Sequence, residues 1–295
     1  MDEDRAGAIG MESDAVADEA RPCAAGDGQS RVQEADALYL YCVVPGTEPC
    51  EWPGQGIDGS TVFSVPSGGL AALAHACKPE PYSGPDEMVR SWITAHARVV
   101  EKARELWGTV VPMGFDVIVR ATDEHTAWEN VALWLQRNRD DLHSKLEEFR
   151  GHSEYGVQVF VDRSKILDVI RSNSKRVNDL VAEMSEKPDG IQYFYRQRVE
   201  KILKEEMEAF VSAAYRDYFR RISELVHAVV VNKLKGDASE KCMILNLSVL
   251  VPDSDEERLG RELEKIAADY GVDVRFTGPW PPYSFVGMSM GNGVS

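Results

Sequence analysis

The chain has 295 residues, 43% of them hydrophobic and 28% charged, which gives enough apolar material for a folded core and predicts two domains. Its formal net charge of −16 argues against a nucleic-acid partner, because an acidic surface repels phosphate backbones. No run approaches the ~18 apolar residues of a membrane-spanning helix, and the acidic start is unlike a secretory signal. We therefore expect a cytoplasmic protein with no membrane or nucleic-acid partner.

Residues 1–36 differ in composition from the rest of the chain. They contain ten acidic residues, three arginines and few large hydrophobic side chains. Such a segment buries too little apolar surface to offset the entropy lost on ordering, so we predict a disordered acidic tail. The remaining chain divides into an N-terminal α+β domain (37–152), a C-terminal α+β domain (153–287) and a flexible tail (288–295).

The N-terminal domain opens with a β-rich run that stops at Pro45-Gly46, and a loop containing Trp52 follows. Further strands and helices alternate up to Phe149, an order that packs as helices on one face of an antiparallel sheet. The predicted strands are Leu38–Val44, Thr61–Val65, Leu70–Ala76 and Val110–Val119, and the predicted helices are Asp86–Trp107 and one or two within Asp123–Phe149.

The helix over Asp86–Trp107 is predicted from apolar side chains that recur every three or four residues. They line one face and include a histidine: Val89, Trp92, Ile93, His96, Val99, Val100, Ala103 and Leu106. A packed histidine that bonds a backbone carbonyl is the commoner explanation for His96, and a ligand or base is the alternative.

The C-terminal domain is predicted as a ferredoxin-like antiparallel sheet that carries a long helical hairpin. Ser164 is the expected N-cap of its first helix. The predicted strands are Tyr155–Val161, Cys242–Val251 and Val272–Phe276, and the predicted helices are Ser164–Met184, Tyr193–Lys235 and Asp253–Tyr270. A helix of about 40 residues is roughly 60 Å long, so it either breaks or projects from the domain.

Motifs for catalysis, cofactors or metals are absent from the sequence. We find no GxGxxG after a strand, no P-loop, no HExxH and no GxSxG. The five cysteines form no CxxC and no zinc-spaced Cys/His quartet, so we expect reduced thiols, with a Cys42–Cys50 disulfide as the minor alternative. His75 and Cys77 share one strand face, which permits a nucleophile pair but more commonly means a buried thiol beside a histidine.

The segment Thr277–Phe285, TGPWPPYSF, is the most informative part of the chain. It holds three prolines and three aromatic residues directly after a predicted strand. Proline fixes its own φ and favours extended geometry in the residue before it, so the segment is a stiff connector that carries large rings. It serves either as an aromatic clasp that closes a domain or as an exposed polyproline-like ligand.

This segment also resembles the closing signature of the gas vesicle accessory family GvpL/GvpF. Weaker resemblances to the same family follow in the right order along residues 38–286, and they lie at Tyr39–Gly46, Leu70–His75, Trp92–Val100, Val111–Phe115, Glu154–Val159 and Gly190–Arg198. Met113–Asp116 departs from the family pattern, which has an arginine and a Phe-Gly order at this place.

The resemblance implies a two-domain α+β protein without enzymatic activity or cofactor. Members of the family are cytoplasmic accessory or minor structural proteins of gas vesicles, linked to assembly of the small hydrophobic shell subunit GvpA and to other gas vesicle proteins. Candidate partner-binding residues are Trp280, Pro281, Pro282, Tyr283 and Phe285, followed by Tyr193 and Tyr195. Packing in the fold is the competing explanation for all seven.

Two other functions remain open from the residues alone. A regulatory module could use the long apolar stripe of its helix to bind a partner outside gas vesicles. A small-molecule enzyme would have to rely on His75, Cys77 and His96.

Overall fold

The computed structural model describes residues 33–48, 51–234 and 241–287. In these ranges ten strands form two antiparallel sheets, with helices packed against both. Most of the predicted acidic tail, the predicted C-terminal tail 288–295, and Cys50 with its possible disulfide lie outside the described residues. The division into domains at residue 152 stays a prediction.

The first sheet has the order β2-β3-β4-β1-β5, and β6 also pairs with β1. Strand β2 lies in the segment predicted as a loop around Trp52, and the predicted strand Val110–Val119 is two short strands separated by the turn at 113–117. The strands are β1 (Ala37–Pro45), β2 (Glu51–Gln55), β3 (Thr61–Ser67), β4 (Leu70–Cys77), β5 (Val111–Pro112) and β6 (Ile118–Arg120).

Helices cover both faces of the first sheet, which differs from the expected one-sided packing. Helix α1 (Asp86–Trp107) packs against the face that carries Tyr39 and Tyr41. Helices α2 (Ala127–Arg137) and α3 (Arg139–Phe149) pack against the opposite face. The central strand β1 is consequently buried along nearly its whole length. On α1, Ile93 and Leu106 are exposed although their spacing placed them on the apolar face.

The second sheet has the order β10-β7-β9-β8 and βαββαβ connectivity, which is the ferredoxin-like arrangement. The side chains of β7 are alternately buried and half-buried along most of the strand, because helices cover only one face of the sheet along that part of β7. The strands are β7 (His152–Asp162), β8 (Ala228–Val231), β9 (Lys241–Pro252) and β10 (Val272–Trp280).

Four helices accompany this sheet, and two predicted boundaries are wrong. The predicted helix Ser164–Met184 is two helices, because Asp162 caps the first and Ser174 accepts a hydrogen bond from the Val177 N–H at the start of the second. The long helix ends at Ser223, because the apolar residues that follow pair with β9 as strand β8. The helices are α4 (Arg163–Asn173), α5 (Lys175–Ser185), α6 (Asp189–Ser223) and α7 (Glu256–Ala267).

The two sheets share part of their core. Leu250 of β9 and Phe285 belong to the same buried cluster as the inner faces of α2 and α3. Arg104 of α1 adds a polar connection, since its guanidinium donates to the carbonyl of His152 and to Ser153 Oγ. The C-terminal segment therefore lies where both sheets can contact it.

Candidate partner-binding sites

The predicted signature segment begins inside β10 and then turns beneath the second sheet. Gly278 has a φ of 136° with a cis peptide bond to Pro279, and a Cβ at this position would lie 2.7 Å from Tyr155 Cδ1. Only glycine accommodates both that φ and that approach. Trp280 ends the strand opposite Glu154 and is exposed.

The residues after Trp280 form a strap, which we define as residues 281–287. Its centre is held by the carboxylate of Glu154 on β7, which accepts hydrogen bonds from the Ser284 N–H at 2.8 Å and from Ser284 Oγ at 2.5 Å. Ser284 Oγ also lies 2.9 Å from Ser248 Oγ on β9. Since Glu154 is buried, these charge-assisted bonds fix the strap to the second sheet.

The side chains on either side of Ser284 anchor the strap in two cores. Tyr283 packs against the core beneath α1, with its ring centroid 6.3 Å from that of His96, and burial raises its pKa. Phe285 is buried in the core shared by α2, α3 and β9. Pro281 and Pro282 are buried as well. Of the five candidates in the signature segment, Trp280 alone is exposed, and the other four clasp the two sheets together.

The second group of candidates lies at the free end of the α5–α6 hairpin. Tyr193 is 60% exposed, whereas Tyr195 is half-buried and donates its hydroxyl to Glu183 of α5. Two neighbours that are not among the seven candidates are exposed as well, Ile191 at 47% and Phe194 at 63%. The core contacts of α6 begin only at Val199, so the turns of the helix before Val199 have no core to pack against.

We call Ile191, Tyr193 and Phe194 the hairpin patch. The rings of Tyr193 and Phe194 lie 5.8 Å apart, edge to face. No side chain from Asp189 to Arg198 is buried, so this part of α6 contacts α5 but not the sheet. Three large apolar side chains exposed within four residues are unusual on a monomer and typical of an interaction surface.

A groove of about 300 Å³ lies between α4 and α6. Its floor is formed by Leu203 and Met207, and its rim carries charges of both signs, including Arg163, Lys204 and Glu200. This mixture of rim charges identifies no ligand chemistry.

The histidines considered for catalysis lie in a buried network under α1. His96 Nε2 donates to the carbonyl of Met113 at 3.1 Å, so Nδ1 is the acceptor for the Tyr39 hydroxyl at 2.8 Å. This confirms the packed histidine bonded to a backbone carbonyl. His75 is held in the same way, between the hydroxyls of Tyr41 and Tyr82.

Burial governs the ionisation of this network. It lowers the pKa values of His75 and His96 to about 4, so both rings are neutral at pH 7. It raises the pKa of the half-buried Cys77 thiol to about 11, whereas a nucleophilic cysteine needs a lowered pKa. Both nitrogens of each histidine already have protein partners, so the arrangement orients β1, β4 and α1 relative to one another.

The turn that departs from the family pattern is part of this network. Asp116 has a φ of 71°, its N–H donates to the Tyr39 hydroxyl, and its carboxylate accepts the N–H of Tyr82. The altered sequence therefore still connects the turn to β1 and to the segment before α1. No group of His, Cys, Asp and Glu side chains suited to a metal ion occurs among the described residues. Of the helices described, none has the length and apolar character to cross a membrane.

These features together define a two-sheet α+β protein whose exposed aromatic groups are suited to binding another protein. The model of the family "Gas vesicle synthesis protein GvpL/GvpF" matches residues 37–287, and the chain belongs to that family. Membership assigns it a gas vesicle role.

Named relatives agree with this assignment. Gas vesicle protein L2 of Halobacterium salinarum is 30% identical over 87% of this chain and 94% of its own. Gas vesicle protein F of Nostoc sp. is 23% identical over 86% of this chain and all of its own. The crystal structure of GvpF from Anabaena sp. PCC7120 superposes with a TM-score of 0.67 at 21% identity, covering 86% of this chain and all of that one, and shows the same fold.

Proposed function

We propose that this protein is a non-enzymatic accessory protein of gas vesicle assembly, acting in the cytoplasm at the vesicle, and that it binds the hydrophobic shell subunit GvpA through the hairpin patch. The observation that carries the proposal is the exposure of Ile191, Tyr193 and Phe194 at the free end of α6. Aromatic side chains of this kind are the usual energetic centres of protein interfaces.

The charged surroundings of the patch support a chaperone-like contact. Glu183 of α5 and Lys187 of the α5–α6 turn form an ion pair beside it, and Arg198 lies over the ring of Tyr195. An apolar centre with a polar rim matches the composition of a reversible interface. Such a surface can cover an aggregation-prone subunit while the acidic protein as a whole stays soluble.

The non-enzymatic part of the proposal rests on the histidine network. The ring nitrogens of His75 and His96 are occupied by tyrosine hydroxyls and a backbone carbonyl, and Cys77 stays protonated. A regulatory module with a partner outside gas vesicles is the second candidate, because the hairpin patch alone does not specify which apolar partner it meets.

The test compares binding of purified GvpA by the wild-type chain and by a Tyr193→Ser/Phe194→Ser variant. Loss of two aromatic anchors should weaken binding by about 30-fold or more. A matched pair of single variants adds a control. Ile191→Ser changes the patch, and Ile93→Ser changes an isoleucine on α1 of nearly equal exposure, 45% against 47%. Only the change at 191 should weaken binding.

A third arm, Trp280→Ala, reports whether the end of β10 also contacts the subunit. Circular dichroism of each variant separates lost binding from lost fold. Full binding by the Tyr193/Phe194 variant would refute the hairpin patch, and no binding by the wild type would favour the second candidate. In cells, unchanged vesicle formation after deletion, in a strain without a paralogue, would refute the assembly role.

A further inference from the structure

Strand β10 is an edge of the second sheet. It pairs with β7 from Val272 opposite Val161 to Thr277 opposite Gly156, and no other strand in the described ranges lies along its outer side. An open edge of this length presents unpaired N–H and C=O groups that can bind another strand.

The hydrogen-bond pattern shows which backbone groups are free. The N–H of Asp162 donates to the carbonyl of Gly271 at 2.7 Å, so Gly271 and Asp162 form a hydrogen-bonded pair of the ladder. Hydrogen-bonded and non-hydrogen-bonded pairs alternate along an antiparallel ladder. The backbone groups of Val274 and Phe276 therefore point outward, away from β7.

The side chains of β10 are self-complementary about Val274. Val272, Val274 and Phe276 pack against the helix-covered core, while Asp273 and Arg275 are exposed. The two opposite charges stand at equal distances on either side of the central valine. A second antiparallel copy centred on Val274 would place Asp273 of each copy opposite Arg275 of the other.

We propose that β10 pairs with β10 of a second copy of this chain, which joins two four-stranded sheets into one of eight strands. Val274 faces its own equivalent, and the outward backbone groups of the two residues exchange two hydrogen bonds. Val272 faces Phe276 of the second copy in the next pairs, where the Val272 carbonyl accepts the N–H of Phe276, since the Val272 N–H already donates to the Asp269 carbonyl at 3.1 Å. The Asp273–Arg275 pairs take the intervening non-hydrogen-bonded positions, where side chains are closest.

Groups around the strand are compatible with this register. Asp273 binds Lys241 at 2.6 Å and the Arg275 guanidinium lies 5.6 Å from the Phe160 ring, so both charged side chains leave the backbone edge of β10 uncovered. In the dimer both turn from these partners toward the second copy. The exposed aromatics Tyr270 and Trp280 then lie at the two ends of the interface.

Sedimentation equilibrium of the full chain tests the proposal, over about 1 to 100 µM protein, the range of a moderate interface. The wild type should dimerise. Arg275→Asp places like charges opposite each other twice per dimer and should weaken the dimer about tenfold. The exchanged variant Asp273→Arg/Arg275→Asp restores opposite charges and should recover most of that loss. Arg261→Asp, an exposed charge reversal on α7, is the matched control and should change nothing.

A second variant, Val274→Pro, removes an outward N–H and spares the bonds to β7, so a folded variant should be monomeric. A wild type that stays monomeric overturns the proposal, as does a dimer indifferent to the charge variants. If Val274→Pro does not fold, the comparison of Arg275→Asp with Asp273→Arg/Arg275→Asp still tests the proposed pairing. The inference goes beyond shell-subunit binding and fails separately from it, since Tyr193→Ser/Phe194→Ser should leave dimerisation unchanged.

Discussion

Strands β1 and β7, one from each sheet, have opposite character, and β9 of the second sheet resembles β1 in being buried at nearly every position. Strand β1 of the first sheet is apolar at almost every position and buried on both faces. Strand β7 of the second sheet alternates over most of its length, with Val157, Val159 and Val161 against the helices and the intervening residues half-buried. A continuous apolar run thus indicates helices on both sides of a strand, and alternation indicates helices on one side.

Polar groups also separate the two regions. The first sheet buries two neutral histidines within a tyrosine network, whereas the second sheet buries the carboxylate of Glu154, which holds the strap. The first arrangement depends on two histidines whose pKa values fall from 6.5 to about 4 on folding. The second depends on one carboxylate–serine contact. The three predictions below test this contrast in order of decreasing effect.

Acid should destabilise the first sheet selectively. The pKa values of His75 and His96 are about 4 in the fold and about 6.5 in the unfolded chain, so between these pH values the unfolded chain binds more protons. Above pH 6.5 the two histidines therefore do not lower the free energy of unfolding. As the pH falls to 4 that free energy decreases, on the order of 3 kcal/mol for each histidine. Urea unfolding at pH 7 and pH 4.5 measures it.

Tryptophan fluorescence follows the first sheet in this experiment, since five of the six tryptophans lie around it: Trp52, Trp92, Trp107, Trp128 and Trp134. His96→Gln, which keeps a donor and an acceptor, should reduce the pH dependence. His125→Gln, at an exposed histidine, should not. An equal pH dependence in all three proteins would contradict the assignment of acid sensitivity to the buried histidines.

Neighbouring core positions should respond differently in the two sheets. In β1, Tyr39 and Leu40 are both fully buried on opposite faces, so Tyr39→Ala and Leu40→Ala should each cost about 3 kcal/mol of the free energy of unfolding. In β7, Val159→Ala should cost about 2 kcal/mol, but Phe160→Ser, at a half-buried position, under about 1 kcal/mol. Equal costs at Val159 and Phe160 would contradict one-sided burial of β7.

At the strap the expected effect is smaller than at the fully buried core positions. Ser284→Ala removes one hydrogen bond from the buried Glu154 carboxylate but leaves the backbone N–H in place, and should cost about 1 to 2 kcal/mol. Ser172→Ala is the matched control, because Ser172 is exposed and its Oγ donates to the Asp168 carbonyl of its own helix. Denaturant titration compares the two, and equal costs would show that Ser284 does not hold the strap.

Local pattern was sufficient for much of the fold. The helix over Asp86–Trp107 has the predicted bounds, because its apolar spacing and the glycine that follows act within a few residues. Three of the four strands of the second sheet were also predicted from periodicity, and the strand Ala228–Val231 was not. The stripe that continued past Ser223 misled the helix prediction, because valines at this spacing suit either structure until a neighbouring strand pairs with them.

The candidate site was only partly accessible to such reasoning. The aromatic density of Thr277–Phe285 identified the segment, but not that Tyr283 and Phe285 point into different cores while Trp280 is exposed. Hydrophobicity scores all three alike, and exposure depends on neighbours far away in the chain. Ile191 and Phe194 were not among the candidates, because hydrophobicity alone does not show which large side chains of a helix stay exposed.

The sequence by itself determined the family, the α+β composition and most element boundaries, because these depend on short-range periodicity, turn residues and an ordered series of motifs. Only the tertiary structure decided that helices cover both faces of the first sheet, that the proline-aromatic segment clasps two cores, and that β10 is an open edge. Those features arise from contacts between residues far apart in the chain, such as Ser284 with Glu154, which are 130 positions apart, and no local pattern encodes them.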